Sequence, residues 1–187
     1  MKYNTFYKNY SKSISDLLSS IDTNLIDQSV ELIKKKIKTN NTVYIAGNGG
    51  SASIASHVSV DFVKVAKVKS STFNNSNLIT CFSNDYGYEN WLNAAIKYYV
   101  KLSDLVILLS VSGESKNLLN AANFCNKEKI KLVTITGANE GNSLSKMGTI
   151  NYWINSKAYN IVETIQMLIL VSIIDKIIGR SEYSSNL

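Results

Sequence analysis

A glycine-rich segment between an apolar run and a helix-compatible stretch is the part of this chain that most strongly indicates chemistry. The apolar run at residues 43–46 stops at Gly47-Asn48-Gly49-Gly50-Ser51, and residues 51–65 have a helical composition. A strand, a glycine turn and a helix start together present backbone N–H groups and the positive end of a helix dipole to an anion. The sequence therefore predicts a phosphate bound near residue 50.

A second segment, Ser110-Val111-Ser112-Gly113-Glu114-Ser115, offers a similar environment directly after the strongly apolar run at residues 105–109. Three hydroxyl groups and a glycine at a strand-to-helix turn supply O–H and N–H donors, and the helix start adds partial positive charge. The alternative is that Ser112 or Ser115 only caps the following helix. Capping accounts for one serine and not for three with a glycine, so phosphate binding is the favoured interpretation.

Two other interpretations of the glycine segment remain open. Residues 47–52 satisfy a loose G-x-G-x-x-A dinucleotide pattern, but no acidic residue follows about 20 positions later, where that pattern places one. The segment also lacks the Lys-Ser/Thr pair of a P-loop. We therefore expect no nucleotide cofactor. A purely structural glycine turn is the other alternative.

Three side chains are candidates for proton transfer. His57, the one histidine of the chain, and Asp61 are spaced i, i+4 on the helix predicted after the glycine segment, so they share a face. Glu163 and Gln166 lie three apart at the start of an otherwise apolar helix. This position favours a functional role, whereas the alternative is that both side chains face solvent.

Alternating apolar runs and helical patterns predict an α/β fold, in which an open, doubly wound sheet of five parallel strands is flanked by helices. Two amphipathic helices precede the sheet and a long helix closes the chain. The predicted strands are residues 43–46, 78–82, 105–109, 132–135 and 150–154, and the predicted helices after the first strand are residues 51–65, 88–100, 115–126, 143–146 and 160–178. Residues 70–77 are predicted to be a polar loop. The loops at residues 47–51, 83–88 and 110–115 should meet at one edge of the sheet, where ligands bind in such folds.

Composition excludes several classes of protein. The net charge is +6, but the lysines are scattered, which favours a solvated surface over a nucleic-acid site. No apolar run reaches the roughly 18 residues of a membrane span. Cys81 and Cys125 have neither metal-site nor redox spacing, so we expect buried, reduced thiols in a cytoplasmic protein.

The glycine segment, Asn84-Asp85-Tyr86-Gly87-Tyr88-Glu89-Asn90 and the serine segment occur in the order and spacing of the sugar isomerase (SIS) domain family. Within that family the chain most resembles the phosphoheptose isomerase branch. The resemblance implies a flavodoxin-like sheet in a single domain of residues 1–187, with a helical extension at 1–40 and the core and closing helix at 41–180. It also implies a homotetramer with active sites between subunits. The substrate-binding residues it implies are Ser51, Ser110, Ser112 and Ser115 for the sugar phosphate, Asn48 and Asp85 for the sugar chain, and Gly49 and Gly50.

The resemblance also assigns catalytic and metal positions. His57 matches a histidine that ligates zinc in some members, and Asp61 matches a glutamate that serves as metal ligand and acid/base. Glu163 falls where the family has a glutamine. These three residues are predicted to be catalytic and are also the candidate metal ligands. Val171, however, stands where the family carries a late histidine. We therefore expect a weak or absent zinc site.

Two functional hypotheses remain open from the sequence. One is an aldose–ketose isomerase that acts on a phosphorylated sugar. The other is a non-catalytic SIS protein that binds a sugar phosphate or a protein partner. The presence of Val171 in place of the late histidine favours the second hypothesis. The serine segment and the segment at residues 84–90 favour a working sugar site.

Overall fold

The computed structural model describes residues 3–181 and contains one five-stranded sheet with helices on both faces. The elements are α1 (Tyr3–Ser19), α2 (Thr23–Lys38), β1 (Val43–Gly47), α3 (Gly49–Lys64), β2 (Ser70–Thr72), α4 (Ser76–Tyr86), α5 (Trp91–Tyr99), β3 (Leu105–Ser110), α6 (Lys116–Lys127), β4 (Lys131–Thr136), a 3₁₀ turn (Leu144–Lys146), β5 (Ile150–Trp153) and α7 (Tyr159–Ile178). The predicted pair of leading helices and the long closing helix are both confirmed.

The strands are all parallel, in the order β2-β1-β3-β4-β5. This is the flavodoxin-like order, and it confirms the predicted fold class. The chain leaves β1 toward one edge of the sheet and returns at β3 to build toward the other edge. The ends of β1 and β3 therefore form the switch point at which open α/β sheets bind ligands.

Both faces of β3 are buried, as its unbroken apolar sequence predicts. Leu105, Ile107 and Leu109 pack in a core with α2, α3 and α7, while Val106 and Leu108 pack in a second core with α5 and α6. The sheet thus holds α3 and α7 on one face and α6 on the other. The starts of these three helices surround the switch point.

The second strand was predicted at the wrong place. Residues 78–82 lie in α4, and the strand that pairs with β1 is Ser70–Thr72, within the segment predicted as a polar loop. The Asn75 side chain caps α4 by accepting hydrogen bonds from the backbone N–H groups of Asn77 and Leu78. A five-residue apolar run fits a strand or a half-buried helix equally well. β2 is polar because it is a short edge strand with one neighbour.

α1 and α2 pack onto the closing helix, with Leu17, Ile21 and Ile26 against the α7 side of the first core. A buried hydrogen bond of 2.8 Å between the Ser29 and Tyr152 hydroxyls joins α2 to β5. Burial raises the pKa of Tyr152 to about 12. The division at residue 40 stays a prediction.

The two cysteines differ in exposure. Cys125 is buried, which raises the pKa of its thiol to about 12, whereas Cys81 is exposed on α4, contrary to the expectation that both are buried. Within residues 3–181, the helices are all too short or too polar to cross a lipid bilayer.

Candidate active site

A cavity of about 280 Å³ lies at the carboxyl ends of β1 and β3. Its walls come from the glycine segment, the serine segment and the first turns of α6 and α7. Eight of the eleven predicted site residues line it: Asn48, Gly49, Gly50, Ser51, Ser110, Ser112, Ser115 and Glu163. The other three, His57, Asp61 and Asp85, do not line it. Residues separated by more than 100 positions in the sequence thus meet at the switch point.

The glycine segment forms the start of α3 without a side-chain cap. Asn48 occupies the N-cap position, and its side chain makes no capping hydrogen bond. The first backbone N–H groups of a helix have no partner within the helix, so those of Gly49 to Ser51 remain available at the cavity. The Asn48 amide instead exchanges two hydrogen bonds with Asn117 of α6, at 3.0 and 2.9 Å. This pair of hydrogen bonds holds the glycine segment against α6.

The serine segment presents hydroxyl groups whose protons are free for a ligand. The Ser110 Oγ accepts from the Gly113 N–H at 3.0 Å, and the Ser112 Oγ accepts from the Glu114 N–H at 3.2 Å. Ser115 is the N-cap of α6, but its side chain makes no capping bond. The geometry therefore gives no support to capping as the role of the Ser115 hydroxyl. Hydroxyls that accept from the backbone retain a proton to donate toward the cavity.

The loop after β4, which contains Asn142 and Ser143, packs against the serine segment. Gly113 has φ +70°, in the left-handed region, and a Cβ there would collide with the Asn142 side chain. The Glu114 carboxylate accepts from the Ser143 N–H at 2.8 Å and from its hydroxyl at 2.7 Å. These two hydrogen bonds hold the pKa of Glu114 below its usual value. The segment between β3 and α6 is thereby tied to the segment after β4.

Glu163 projects from the first turns of α7 into the cavity, where its carboxylate lies against Gly50. A Cβ at Gly50 would collide with that carboxylate, so glycine permits the approach. A carboxylate beside a helix N-terminus is favourably placed in the field of the helix dipole. Gln166 is fully buried. The alternative that both side chains face solvent is therefore wrong.

His57 and Asp61 share one face of α3, as predicted, with Nε2 and Oδ2 3.3 Å apart. Their side chains are 56% and 21% exposed and lie outside the cavity lining. Burial first and the negative charge of Asp61 second raise the pKa of Asp175 on α7. In the part of the chain that the structure describes, no three His, Cys, Asp or Glu side chains are close enough to hold a metal ion. Within one chain, His57, Asp61 and Glu163 therefore do not form the metal-binding group that the family resemblance implies.

Asp85 was expected in a loop after a strand, and this placement is wrong. It lies in the last turn of α4, exposed, and accepts hydrogen bonds from the Asn84 side chain at 2.9 Å and the Cys81 thiol at 3.7 Å. The nearby Tyr88 reaches the site instead, since its hydroxyl donates to the Asn48 Oδ1 at 3.4 Å.

Comparison with known proteins places the chain in a family. The model of the SIS domain matches residues 6–137. The chain belongs to the SIS domain family. SIS relatives include phosphoheptose isomerase 2 of Campylobacter jejuni, 36% identical over 132 residues, which are 64% of each chain. The phosphoheptose isomerase of Buchnera aphidicola is 31% identical over 121 residues, 62% of this chain and 63% of that protein.

Solved structures show the same SIS fold over nearly the full chain. A phosphoheptose isomerase from Francisella tularensis has a TM-score of 0.82 at 19% identity, covering 96% of this chain and 97% of its own. The enzyme from Neisseria gonorrhoeae also has a TM-score of 0.82, at 17% identity, covering 96% and 100%. In sequence, by contrast, this SIS domain matches less than two thirds of the length of the curated relatives above.

Some residues in and beside the SIS cavity cannot be identified from the sequence. Tyr159 lines it and Asn117 holds Asn48, yet both follow from tertiary packing and have no local signal. Gln166 does have one, because a buried amide in an apolar helix requires hydrogen-bond partners. Its partners are Ser51 and the backbone of Ile135.

Proposed function

We propose that this SIS domain binds a phosphorylated sugar and converts a ketose to an aldose, with sedoheptulose 7-phosphate to D-glycero-D-manno-heptose 7-phosphate as the reaction. The observation that carries the proposal is the single cavity where two anion-binding segments meet a carboxylate, that of Glu163. The relatives named phosphoheptose isomerase support the choice of sugar.

The two segments supply complementary donors for a phosphate. The first turn of α3 offers backbone N–H groups and a positive helix end. Ser110, Ser112 and Ser115 offer hydroxyl protons from the opposite wall. Among residues 3–181, neither lysine nor arginine lines the cavity, so helix dipoles and neutral donors would stabilise the phosphate charge. Binding through neutral donors suits a ligand that must also leave.

Glu163 is the carboxylate best placed for chemistry within one chain. Isomerisation of an aldose and a ketose moves a proton between C1 and C2 through an enediol, and a positioned base must take and return it. Glu163 lines the cavity that would hold the phosphate, so a sugar extending from the phosphate remains within its reach. Asp61, with His57 beside it, is the second member of the proposed acid/base pair.

The pair would be completed by assembly. On α3, Val60 and Val63 are 59% and 49% exposed beside His57 and Asp61. Exposed aliphatic side chains on a helix face favour contact with another subunit. We propose a homotetramer with sites between subunits, as the family resemblance implies. A cytoplasmic location, a weak or absent zinc site and a role in lipopolysaccharide or capsule precursor synthesis belong to the same proposal.

One observation favours a second function, that of a non-catalytic SIS protein that binds a sugar phosphate or a protein partner. His57 and Asp61 do not line the cavity of the chain that contains Glu163, and Val171 contributes to a different cavity between α2 and α7. A phosphate site could therefore persist without turnover. Incubation with sedoheptulose 7-phosphate, followed by NMR detection of the aldose, distinguishes the two functions. One arm contains zinc and the other a chelator; binding without aldose in either arm would support the non-catalytic function.

Ser112→Ala should weaken sugar-phosphate binding by about 1–3 kcal/mol, the scale of a hydrogen bond to a charged group. The Ser112 oxygen accepts from the backbone, and its proton is the part that the phosphate would use. Isothermal titration calorimetry measures the change. Ser71→Ala, on the exposed edge strand, is the matched control and should leave affinity unchanged. Equal affinities of wild type and Ser112→Ala would remove this hydroxyl from the site.

A further inference from the structure

Gln166 joins three elements beneath the cavity. It is fully buried on α7, yet both ends of its amide have partners. Its Nε2 donates to the backbone oxygen of Ile135 in β4 at 3.2 Å, and its Oε1 accepts from the Ser51 hydroxyl at 2.9 Å. Ser51 belongs to the first turn of α3 and is 2% exposed. The amide therefore connects the anion-binding turn to the sheet and to the closing helix.

The direction of the bond to Ser51 follows from the other bond. A backbone carbonyl only accepts, so the Gln166 Nε2 must face Ile135 and the Oε1 must face Ser51. The Ser51 hydroxyl is then the donor, and its single proton is used. Ser110 and Ser112 have the opposite arrangement, because their oxygens accept from backbone N–H groups and their protons remain free.

We infer that Gln166 is a positioning residue that accepts the hydrogen bond of the Ser51 hydroxyl and thereby fixes the first turn of α3. Ser51 would then bind a phosphate through its backbone N–H, while its hydroxyl holds the turn in place through the hydrogen bond to Gln166. This changes the role that the family resemblance implied for the Ser51 side chain. The inference rests on the proposed function, because it concerns how that site holds its phosphate. A buried amide with both partners satisfied is rigid, since either alternative leaves a polar group unpaired.

The test compares inorganic phosphate binding by wild type, Gln166→Leu, Ser51→Ala and the double variant. Dissociation constants come from the amide NMR shifts of Gly49, Gly50 and Ser51. Gln166→Leu should weaken binding by about tenfold, Ser51→Ala by a similar factor, and the double variant by no more than either, because coupled positions are non-additive. Ser110→Ala combined with Gln166→Leu should give additive losses, since the Ser110 proton acts separately.

Two results would overturn the inference while leaving the proposed function intact. If Gln166→Leu binds phosphate as well as wild type or better, while Ser51→Ala loses affinity, the freed hydroxyl is itself a phosphate ligand. If Gln166→Leu only lowers the unfolding midpoint and leaves the dissociation constant unchanged, Gln166 has a packing role alone. Wild type that shows no shift at residues 49–51 with either inorganic phosphate or sedoheptulose 7-phosphate would instead overturn the proposed site and this role together.

A measurement on the wild-type protein covers the case in which Gln166→Leu does not fold. The Ser51 hydroxyl proton, shielded from water, should be visible by NMR with a cross-peak to the Gln166 side chain. It should keep that cross-peak when phosphate is added. Loss of the cross-peak on phosphate addition would show that the proton turns to the ligand, and would overturn the inference.

Discussion

Glu163→Gln should lower the rate of ketose-to-aldose conversion by about 10²–10⁴-fold, the usual contribution of a positioned acid or base. The amide keeps the size and hydrogen-bonding reach of the carboxylate but cannot take a proton from the sugar. Affinity for the sugar phosphate should hold or rise, because removing a negative charge beside the phosphate removes repulsion. NMR-detected turnover and calorimetric affinity, measured on the same preparation, separate the two effects.

The matched control is Glu31→Gln, which removes one negative charge from an exposed position on α2. It should leave both turnover and affinity unchanged. Asp61→Asn tests the second proposed carboxylate in parallel and should also abolish turnover with phosphate binding retained. Full activity in Glu163→Gln would contradict the assignment of this side chain as the base, whatever the result for Asp61.

Gly113→Ala should destabilise the protein by about 2–5 kcal/mol and abolish sugar-phosphate binding. The left-handed backbone costs a residue with a Cβ about 1–2 kcal/mol, and overpacking against a fixed neighbour costs about 1–3 kcal/mol more. The neighbour is fixed because the Asn142 amide donates to Thr136, Gly137 and Asn139. Thermal unfolding and calorimetry measure the two losses.

Gly179→Ala separates the two costs of Gly113→Ala. Gly179 has φ +77°, but a Cβ there meets no atom within 4 Å, so the variant shows the backbone cost alone. The double variant Gly113→Ala/Asn142→Gly should recover part of the lost stability, because it removes the collision. If Gly113→Ala is no less stable than Gly179→Ala, the collision with Asn142 does not shape the serine segment.

The sequence predicts the centre of this fold better than its edge. β3 is buried on both sides along its length and β1 and β4 are largely buried, so their sequences are mostly apolar and give a direct signal. β2 has no such pattern, because an edge strand of three residues is mostly solvated and pairs through its backbone. The apolar run of α4 therefore gives the stronger strand signal, and this wrong strand prediction also misplaces Asp85.

The candidate site was predictable where one turn supplies the ligand contacts. The first turn of α3 and the segment from Ser110 to Ser115 carry their geometry in local sequence, since glycines and serines at a strand-to-helix turn offer N–H and O–H donors beside the positive helix end. Contacts between distant elements were not predictable. The Asn48–Asn117 pair depends on how α3 and α6 pack, and the position of Glu163 against Gly50 depends on the packing of α7 on α3.

The contact between Glu163 and Gly50 has a consequence for selectivity. Before any ligand arrives, the protein's own carboxylate already lies at the positive end of α3. A phosphate that binds at the start of α3 therefore lies beside this carboxylate. Inorganic phosphate is repelled by its negative charge. The hydroxyl groups of a sugar phosphate can donate hydrogen bonds to this carboxylate, so the carboxylate then contributes to binding. Because Gly50 has no side chain and admits this carboxylate, we expect the cavity to bind a sugar ester in preference to inorganic phosphate.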